Sequence, residues 1–448
     1  MKSNRLLRLL AITSISAAIV CGGAATSHAQ NFYVANYTDN NGGNGTVTGY
    51  NANSGNSPIL TITNGISNPY LKSLAISGNN LYVANQTNNT ITEYDVTTGA
   101  GPLLTITSGV NNPGAIIVSE GILYVTNLGN NTVTEYDATT GALLLTISDG
   151  INAPVDLVVS GGVLYVANAG ANTVTEYTAA TGGAPLLTIS NGVSGPVSIL
   201  LSGNTLFVAN INGADVTEYN AATGGAPLLT IPTSSNPFAL ALSGTSLYVS
   251  LPFVNEVDEF DAVTGSPVLA ITNGVSQPFA LGLSGNKLYV ANFTPGNSSV
   301  TEYDATAGGA PINTFTSGVS DPAAILFAPA PAPAPLPDLQ VTKITTTNNK
   351  APQGSKVTIT ATVSNTGNAA AGASTTLFLD GTTVIGSANT PAIPAGGSVQ
   401  VSVDWRTATV KGSHTLNVTA DSTNAVVESN ETNNSAQLTV TVRGNQVQ

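Results

Sequence analysis

A short pattern of alternating apolar and polar positions recurs seven times between residues 31 and 327. At its centre is a segment with an aromatic residue, Val, a small residue and a polar residue, as in Tyr124 to Asn127. Such alternation predicts a strand, and repetition at a fixed period predicts one supersecondary unit per repeat. Successive aromatic residues lie 49, 42, 41, 42, 41 and 41 positions apart. The seven are Tyr33, Tyr82, Tyr124, Tyr165, Phe207, Tyr248 and Tyr289.

Each repeat has the same order of apolar segments. One strand begins at a proline, as at Pro237, and a Ser-Gly turn separates it from the aromatic strand. A Val-Thr-Glu-Tyr-Asp strand follows, as at Val300 to Asp304, and then a Leu-Thr-Ile strand, as at Leu228 to Ile231. Four strands in about 41 residues are typical of one blade of a β-propeller. The pattern therefore predicts an all-β fold with a seven-bladed propeller over residues 30–327.

The repeat array begins and ends at different strands of the repeat. The array begins at an aromatic strand, Phe32 to Asn36, with no proline-initiated strand between it and the leader. It ends with one additional proline-initiated strand, Pro322 to Phe327. If this last strand completes the first blade, the ring closes and no sheet edge remains between its ends. The sequence therefore predicts interlocked termini.

These repeats resemble the NHL and YVTN propeller repeats of exported bacterial proteins. The resemblance rests on the aromatic-Val-small-Asn strands and covers residues 31–327. It implies the propeller fold, which hosts binding modules, lyases and lactonases alike, and so it names no activity. Lactonase-like members bind a divalent ion through Glu, Asn and Asp in the central channel, residue types that this chain also contains.

A different pattern begins after alternating Ala and Pro at residues 328–337. Such a run favours polyproline II geometry and predicts a stiff linker. Longer strands follow over residues 338–443, and they predict a C-terminal immunoglobulin-like β-sandwich with Trp405 in its core. The turn Ser364 to Gly367 and the closing segment Asp421 to Asn434 resemble the bacterial cell-adhesion-related domain, CARDB. This resemblance implies a surface-exposed accessory module and names no ligand.

Composition and charge narrow the range of partners. Only 8% of the residues are charged, compared with about 25% in typical soluble proteins. Residues 30–327 carry two lysines against eighteen acidic residues. Such an acidic body repels phosphate backbones and anionic membranes, which argues against nucleic-acid binding.

The N-terminus is typical of an export signal. Three cations precede an apolar run from Leu6 to Val20, and Ser27 to Ala29 offers small residues at the positions that a signal peptidase reads. We expect residues 1–29 to be removed, which leaves a chain with no cysteine and no transmembrane segment. The expected location is extracellular or at the cell surface, with the periplasm as the alternative.

Features repeated in nearly every unit are typical of structural roles. The Asn that ends most aromatic strands is expected to cap its own turn. The Glu-Tyr pairs, such as Glu135 and Tyr136, are expected to place acids on a solvated face beside a packing ring.

Departures from the repeat mark the candidate ligand-binding residues. When the seven proline-initiated strands are aligned, one position, which we call the small column, holds Ser or Ala in six repeats and Asp156 in the remaining one. The neighbouring positions hold Leu, Ile and Val, so we expect the small column to face the channel. Lys72 lies one position before this column in the second repeat. We predict that Asp156 and Lys72 bind a ligand; an acid that binds only water is the alternative.

Two clusters of acidic residues contain the candidate metal ligands. Glu256 and Asp258 in the sixth repeat share one strand face, because residues two apart point the same way. In the sandwich, Asp421, Glu428 and Glu431 crowd one hairpin. Oxygen ligands of this kind suit Ca²⁺, and no other cofactor is predicted. The alternatives are a solvated acidic edge for the first group, and Asx turns and backbone caps for the second.

No catalytic residue is predicted. The propeller repeats contain no His and no Cys, which excludes Ser-His-Asp and Cys-His chemistry there. His414, in the second domain, is expected at the surface. The sequence therefore favours an exported, non-enzymatic scaffold for protein or polysaccharide at the cell surface. The alternative is a metal-dependent, lactonase-like hydrolase, which three or more acidic or amide side chains converging in the channel would favour.

Overall fold

The chain folds into strands and turns. The computed structural model describes residues 31–38, 43–52, 55–328, 335–407 and 411–444, and every regular element in these ranges is a strand. In this part of the chain there is accordingly no helix that is long and apolar enough to cross a membrane. The predicted signal segment, 1–29, and residues 329–334 of the predicted linker lie outside these ranges. The chain divides into two compact units between residues 330 and 331.

Among its described residues, the first unit has twenty-eight short strands, and tight turns connect many of them. One such turn is at Gly203, whose φ of +57° is the left-handed conformation that a hairpin turn with glycine at its first central position requires. The strands are β1 (Asn31–Thr38), β2 (Asn44–Asn51), β3 (Leu60–Ile62), β4 (Leu74–Ser77), β5 (Asn80–Asn85), β6 (Thr90–Asp95), β7 (Leu104–Ile106), β8 (Pro113–Ser119), β9 (Ile122–Asn127), β10 (Thr132–Asp137), β11 (Leu143–Ile147), β12 (Pro154–Ser160), β13 (Val163–Asn168), β14 (Thr173–Thr178), β15 (Gly182–Ile189), β16 (Pro196–Ser202), β17 (Thr205–Asn210), β18 (Asp215–Asn220), β19 (Gly224–Pro232), β20 (Leu240–Ser243), β21 (Ser246–Leu251), β22 (Glu256–Asp261), β23 (Pro267–Ile271), β24 (Pro278–Ser284), β25 (Lys287–Asn292), β26 (Ser299–Asp304), β27 (Gly308–Phe315) and β28 (Pro322–Phe327).

These strands pair into seven antiparallel four-stranded sheets. The first sheet has the order β28-β1-β2-β3, and the second to seventh sheets each use four consecutive strands, from β4–β7 to β24–β27. The innermost strands contact one another in a closed ring, β28-β4-β8-β12-β16-β20-β24. Repeated four-stranded sheets around a channel are the architecture of a β-propeller. The predicted all-β propeller is thereby confirmed.

The ring closes through its first sheet, as the offset of the repeats predicts. Strand β28 pairs with β1 and places Phe327 opposite Phe32. The Phe32 ring lies 5.0 to 5.6 Å from the rings of Tyr50, Tyr289, Phe315 and Phe327, measured between centroids. The first and last strands of the unit therefore share one sheet and one aromatic cluster.

Repeated polar residues connect each sheet to the loop that precedes it. Asn127 donates from Nδ2 to the Thr134 hydroxyl (2.9 Å), and its Oδ1 accepts the Asn111 N–H (3.0 Å) in the loop from the preceding sheet. The Tyr136 hydroxyl donates to the Ser108 carbonyl in the same loop (2.7 Å). This Asn therefore has a structural role, but the prediction that it caps its own turn is wrong: Asn127 bonds to the next strand and to the preceding loop.

The glutamates of the Glu-Tyr pairs are not on a solvated face, and that prediction is wrong. Glu135 is 2% exposed and lies opposite Tyr124 on β9. Burial raises the pKa of Glu135 to about 7. The reason is architectural, because both faces of a propeller sheet pack against neighbouring sheets and β10 is buried along most of its length.

The second unit is a two-sheet sandwich. One sheet has the order β29-β30-β33 and the other β32-β31-β34-β35. Trp405 is buried in the core between aliphatic side chains, as predicted for an immunoglobulin-like domain. The strands are β29 (Leu339–Thr346), β30 (Lys356–Asn365), β31 (Ser374–Asp380), β32 (Thr383–Thr390), β33 (Ser398–Arg406), β34 (Gly412–Thr419) and β35 (Ser435–Val442).

His414 is not the surface residue that the sequence suggests. Its side chain is 14% exposed, and its Nδ1 lies 2.9 Å from Oδ2 of Asp380. The His414 ring also packs 5.9 Å from the Trp405 ring. Pairing of β31 with β34 brings the carboxylate and the imidazole together, a long-range contact that strand alternation alone does not reveal.

Candidate functional site

A cavity of about 520 Å³ lies within the ring of innermost strands. Its wall receives residues from all seven sheets and is almost entirely aliphatic and aromatic. Among the lining residues that the structure describes, only Lys72, Asp156 and Ser198 have polar side chains. The channel is therefore an apolar chamber with a single pair of charges.

Asp156 is packed between two sheets, and its side chain is not exposed in the channel. The residue is fully buried. Its Oδ1 accepts the Leu157 N–H (2.8 Å), and its Oδ2 accepts the Ile199 N–H (2.7 Å) from the next sheet. A register shift between Pro154 and Asp156 accompanies this arrangement, and such bulges redirect side chains. Burial raises the pKa of Asp156, while Lys72 and the two N–H donors oppose that rise.

Lys72 extends from the second sheet to the fourth. Its ammonium forms an ion pair with Oδ2 of Asp156 and lies 3.5 Å from the Ile199 carbonyl. The Lys72 backbone is left-handed, with a φ of +52°, and its carbonyl accepts the Ile116 N–H (3.1 Å). The structure thus joins the two residues that the sequence selects, and binding of a ligand by them stays a prediction.

Five aromatic side chains form a half-exposed row beside the cavity, which we call the aromatic arc. Consecutive ring centroids are 5.4 Å apart for Tyr70 and Tyr37, and 6.4 Å apart for Tyr37 and Phe293. They are 4.4 Å apart for Phe293 and Phe279, which are stacked, and 4.8 Å apart for Phe279 and Phe238. Phe238 and Phe279 also line the cavity. Sequence reasoning missed this row because its members come from four different sheets or their connecting loops.

Glu256 and Asp258 lie together on β22, as predicted. Burial and, next, the Glu256 charge raise the pKa of Asp258 to about 6. Other repeats carry Thr at the position of Asp258, bonded to the Asn that Leu251 replaces here. Nowhere in the described ranges do three or more His, Cys, Asp or Glu side chains form a group that could hold a metal ion. Calcium at this pair stays a prediction.

The three carboxylates of the acidic hairpin already accept hydrogen bonds within the sandwich. Both carboxylate oxygens of Asp421 accept N–H groups, from Ala425 (3.0 Å) and Val426 (2.8 Å). Glu428 accepts the Leu339 N–H and the Asn434 amide (3.1 Å). Glu431 accepts the Glu428 N–H (3.1 Å). This geometry matches the capping alternative, and Ca²⁺ would have to compete with these hydrogen bonds.

An exposed aliphatic side chain lies on, or directly before, the outer strand of every propeller sheet. We call these seven positions the aliphatic rim, and their exposed fractions lie between 51% and 64%. The repeat explains the regularity, because each residue precedes the Leu-Thr-Ile segment or its equivalent. The rim residues are Ile59, Leu103, Leu144, Leu186, Leu228, Val268 and Ile312.

Two protein families match the chain. The family described as outer membrane protein assembly factor BamB matches residues 45–270 and, in a second overlapping alignment, residues 105–328. The CARDB family matches residues 336–438. No curated protein sequence matches the chain.

Several solved structures share the fold of the propeller at low sequence identity. A putative 6-phosphogluconolactonase from Bacteroides fragilis is 17% identical with a TM-score of 0.56, over 69% of this chain and 100% of that one. A protein from Lactobacillus plantarum is 18% identical with a TM-score of 0.55, over 67% and 100%. A functionally unknown protein from Desulfotomaculum acetoxidans is 16% identical with a TM-score of 0.54, over 67% and 99%. At such identities the likeness concerns the fold alone.

Proposed function

The chain belongs to the family described as outer membrane protein assembly factor BamB, and on that premise we propose that it is an exported, non-enzymatic binding scaffold of the bacterial envelope or cell surface. The propeller binds a partner, and the CARDB domain associates with the surface. The proposal includes removal of residues 1–29 as a signal peptide and assignment of the repeats to the NHL/YVTN type. It also treats residues 30–327 and 338–443 as separate domains.

The main observation that supports this proposal is the aliphatic rim. Each outermost strand, such as β15 or β19, ends its sheet without a further strand partner in the described structure. An unpaired strand edge offers N–H and C=O groups with which another chain can pair, and the exposed aliphatic side chain beside each edge adds apolar surface that such a partner would bury. Between the two predicted partner classes, the rim favours protein, because aliphatic groups gain most by burial against an apolar protein surface.

The lactonase-like alternative has less support in the channel. That function needs acidic or amide side chains that converge on one point and hold a divalent ion. Asp156 is instead fully buried, with its oxygens bonded to two backbone N–H groups and Lys72. The lining residues around it are aliphatic. The likeness to the putative 6-phosphogluconolactonase from Bacteroides fragilis concerns the fold alone.

Fractionation of cells that produce the chain tests the proposal. We expect the full chain to sediment with the envelope and a chain ending at residue 330 to be released, because it lacks the CARDB domain. We expect the full chain carrying Leu144→Ser, Leu186→Ser and Leu228→Ser to lose most chemical cross-links to envelope proteins. Thr146→Ser, Thr188→Ser and Thr230→Ser, at exposed positions on the same strands, provide the matched control. Sedimentation and cross-links unchanged by truncation and by the rim variant would contradict the scaffold.

A further inference from the structure

We infer that the propeller channel is a binding site for a neutral, mostly apolar small molecule with a flat ring, which enters beside the aromatic arc. The inference concerns a pocket distinct from the aliphatic rim and does not depend on the proposed scaffold function. It rests on the size of the cavity, the chemistry of its wall, the balance of its charges and the position of the arc.

The size and wall of the cavity suit a small hydrophobic molecule. Its volume of about 520 Å³ lies within the range of about 300–1,000 Å³ that is typical of small-molecule sites. Val158, Leu200 and Ile325, from three different sheets, line it and remain half-exposed. Apolar surface left open to water in a concave wall favours an apolar occupant, since burial of that surface is the main favourable term in binding.

The charges in the wall favour a neutral occupant. Lys72 and Asp156 are the only formally charged residues among the described lining residues, and they neutralise each other. A cationic ligand would meet a carboxylate that is buried and already bonded to two N–H groups. An anionic ligand would compete with Asp156 for the Lys72 ammonium and would approach an acidic propeller, which carries eighteen acidic residues against two lysines.

The aromatic arc indicates a flat ligand. Phe279 stacks on Phe293 at an interplanar angle of 16°, and Phe238 continues the row into the cavity. Half-exposed rings at centroid separations of 4.4 to 4.8 Å present apolar faces on which a further ring gains by offset stacking. The arc and the cavity are continuous, so a ligand whose ring stacks on the arc places the rest of its apolar surface in the cavity.

Fluorescence titration of the full chain with N-phenyl-1-naphthylamine tests the inference. This neutral probe has two aromatic units and becomes brighter in apolar surroundings. We expect a saturable increase with one probe bound per chain below about 100 µM. The related 1-anilinonaphthalene-8-sulfonate adds a negative charge to the same ring framework, and we expect it to bind at least about tenfold more weakly.

Matched substitutions locate the probe. Ala239→Phe fills the cavity from a half-exposed position in its wall, and we expect a loss of affinity of about tenfold or more. Ala310→Phe makes the same change at an exposed position on β27 and should leave affinity unchanged. If Ala239→Phe fails to fold, Ala280→Leu in the same wall replaces it. Absence of saturable binding, equal affinity of the wall variant and the Ala310→Phe control, or preference for the sulfonated probe would overturn the inference.

Discussion

Deletion of Pro322–Phe327 is expected to abolish the cooperative unfolding transition of the propeller. Strand β28 supplies the inner edge of the first sheet, so its loss leaves the N–H and C=O groups of β1 that face it without partners, while those that face β2 stay paired. The deletion also removes Ala323, Ala324 and Phe327, all buried. Loss of one buried Phe side chain typically costs about 3–5 kcal/mol, and whole domains are stable by only about 5–15 kcal/mol.

Urea unfolding, followed by circular dichroism and tyrosine fluorescence, measures this effect in the full chain. Deletion of residues 329–334 in the predicted linker has the same length and should leave the propeller transition unchanged. Two point variants give a finer comparison. Phe327→Ala should lower the stability by about 3 kcal/mol, and Phe253→Ala, at a residue that is 68% exposed, by less than about 0.5 kcal/mol. Equal urea midpoints for the two deletions would refute closure through β28.

Lys72→Met is expected to destabilise the propeller by about 3 kcal/mol at pH 8, because it leaves the buried Asp156 carboxylate without its cation. The cost should depend on pH. Burial already holds the pKa of Asp156 above its ordinary value, and loss of Lys72 raises it further. A folded-state pKa above the unfolded one means that stability falls as pH rises between the two values. The variant should therefore approach the wild type near pH 4.

Thermal unfolding at pH 4 and pH 8 measures this dependence. The double variant Lys72→Met with Asp156→Asn should recover much of the loss at pH 8, since it removes the unpaired charge. Lys356→Met breaks the exposed pair with Asp404 and should cost less than about 1 kcal/mol at either pH. A Lys72→Met variant as stable as the wild type at pH 8 would show that the pair contributes little to the ring.

The repeat made the propeller predictable, because each unit carries its strand order and its turns in a local pattern. The offset between Phe32 and Pro322 also predicted the closing pair, since only one strand was left for the first sheet. Asp156 was predictable as a candidate because it interrupts a column of small residues. Its burial was not, because the donation from Ile199 depends on the neighbouring sheet and the bulge after Pro154 depends on the pairing of β12 with β13.

The aromatic arc could not be predicted from the local sequence pattern. Tyr37 and Phe293 each follow the Asn of an aromatic strand, yet 256 positions separate them. Only ring closure brings the first and seventh sheets side by side and places these rings 6.4 Å apart. The burial of Glu135 was misjudged for a related reason, because alternation marks a solvated face only where one face of the sheet is free. Packing of sheet against sheet removes that face.

The most direct test of the central claim, that the chain is a binding scaffold and not an enzyme, is lactone hydrolysis by the purified chain with residues 1–29 removed. The assay uses a panel of five- and six-membered lactones with Ca²⁺, Mg²⁺, Mn²⁺ or Zn²⁺, and compares the wild type with Asp156→Asn. We expect hydrolysis at the protein-free rate with every ion, because Asp156, the one acid among the described residues of the channel wall, is buried and bonded to Lys72 and two N–H groups. Metal-dependent turnover that Asp156→Asn abolishes would contradict the scaffold and establish the hydrolase.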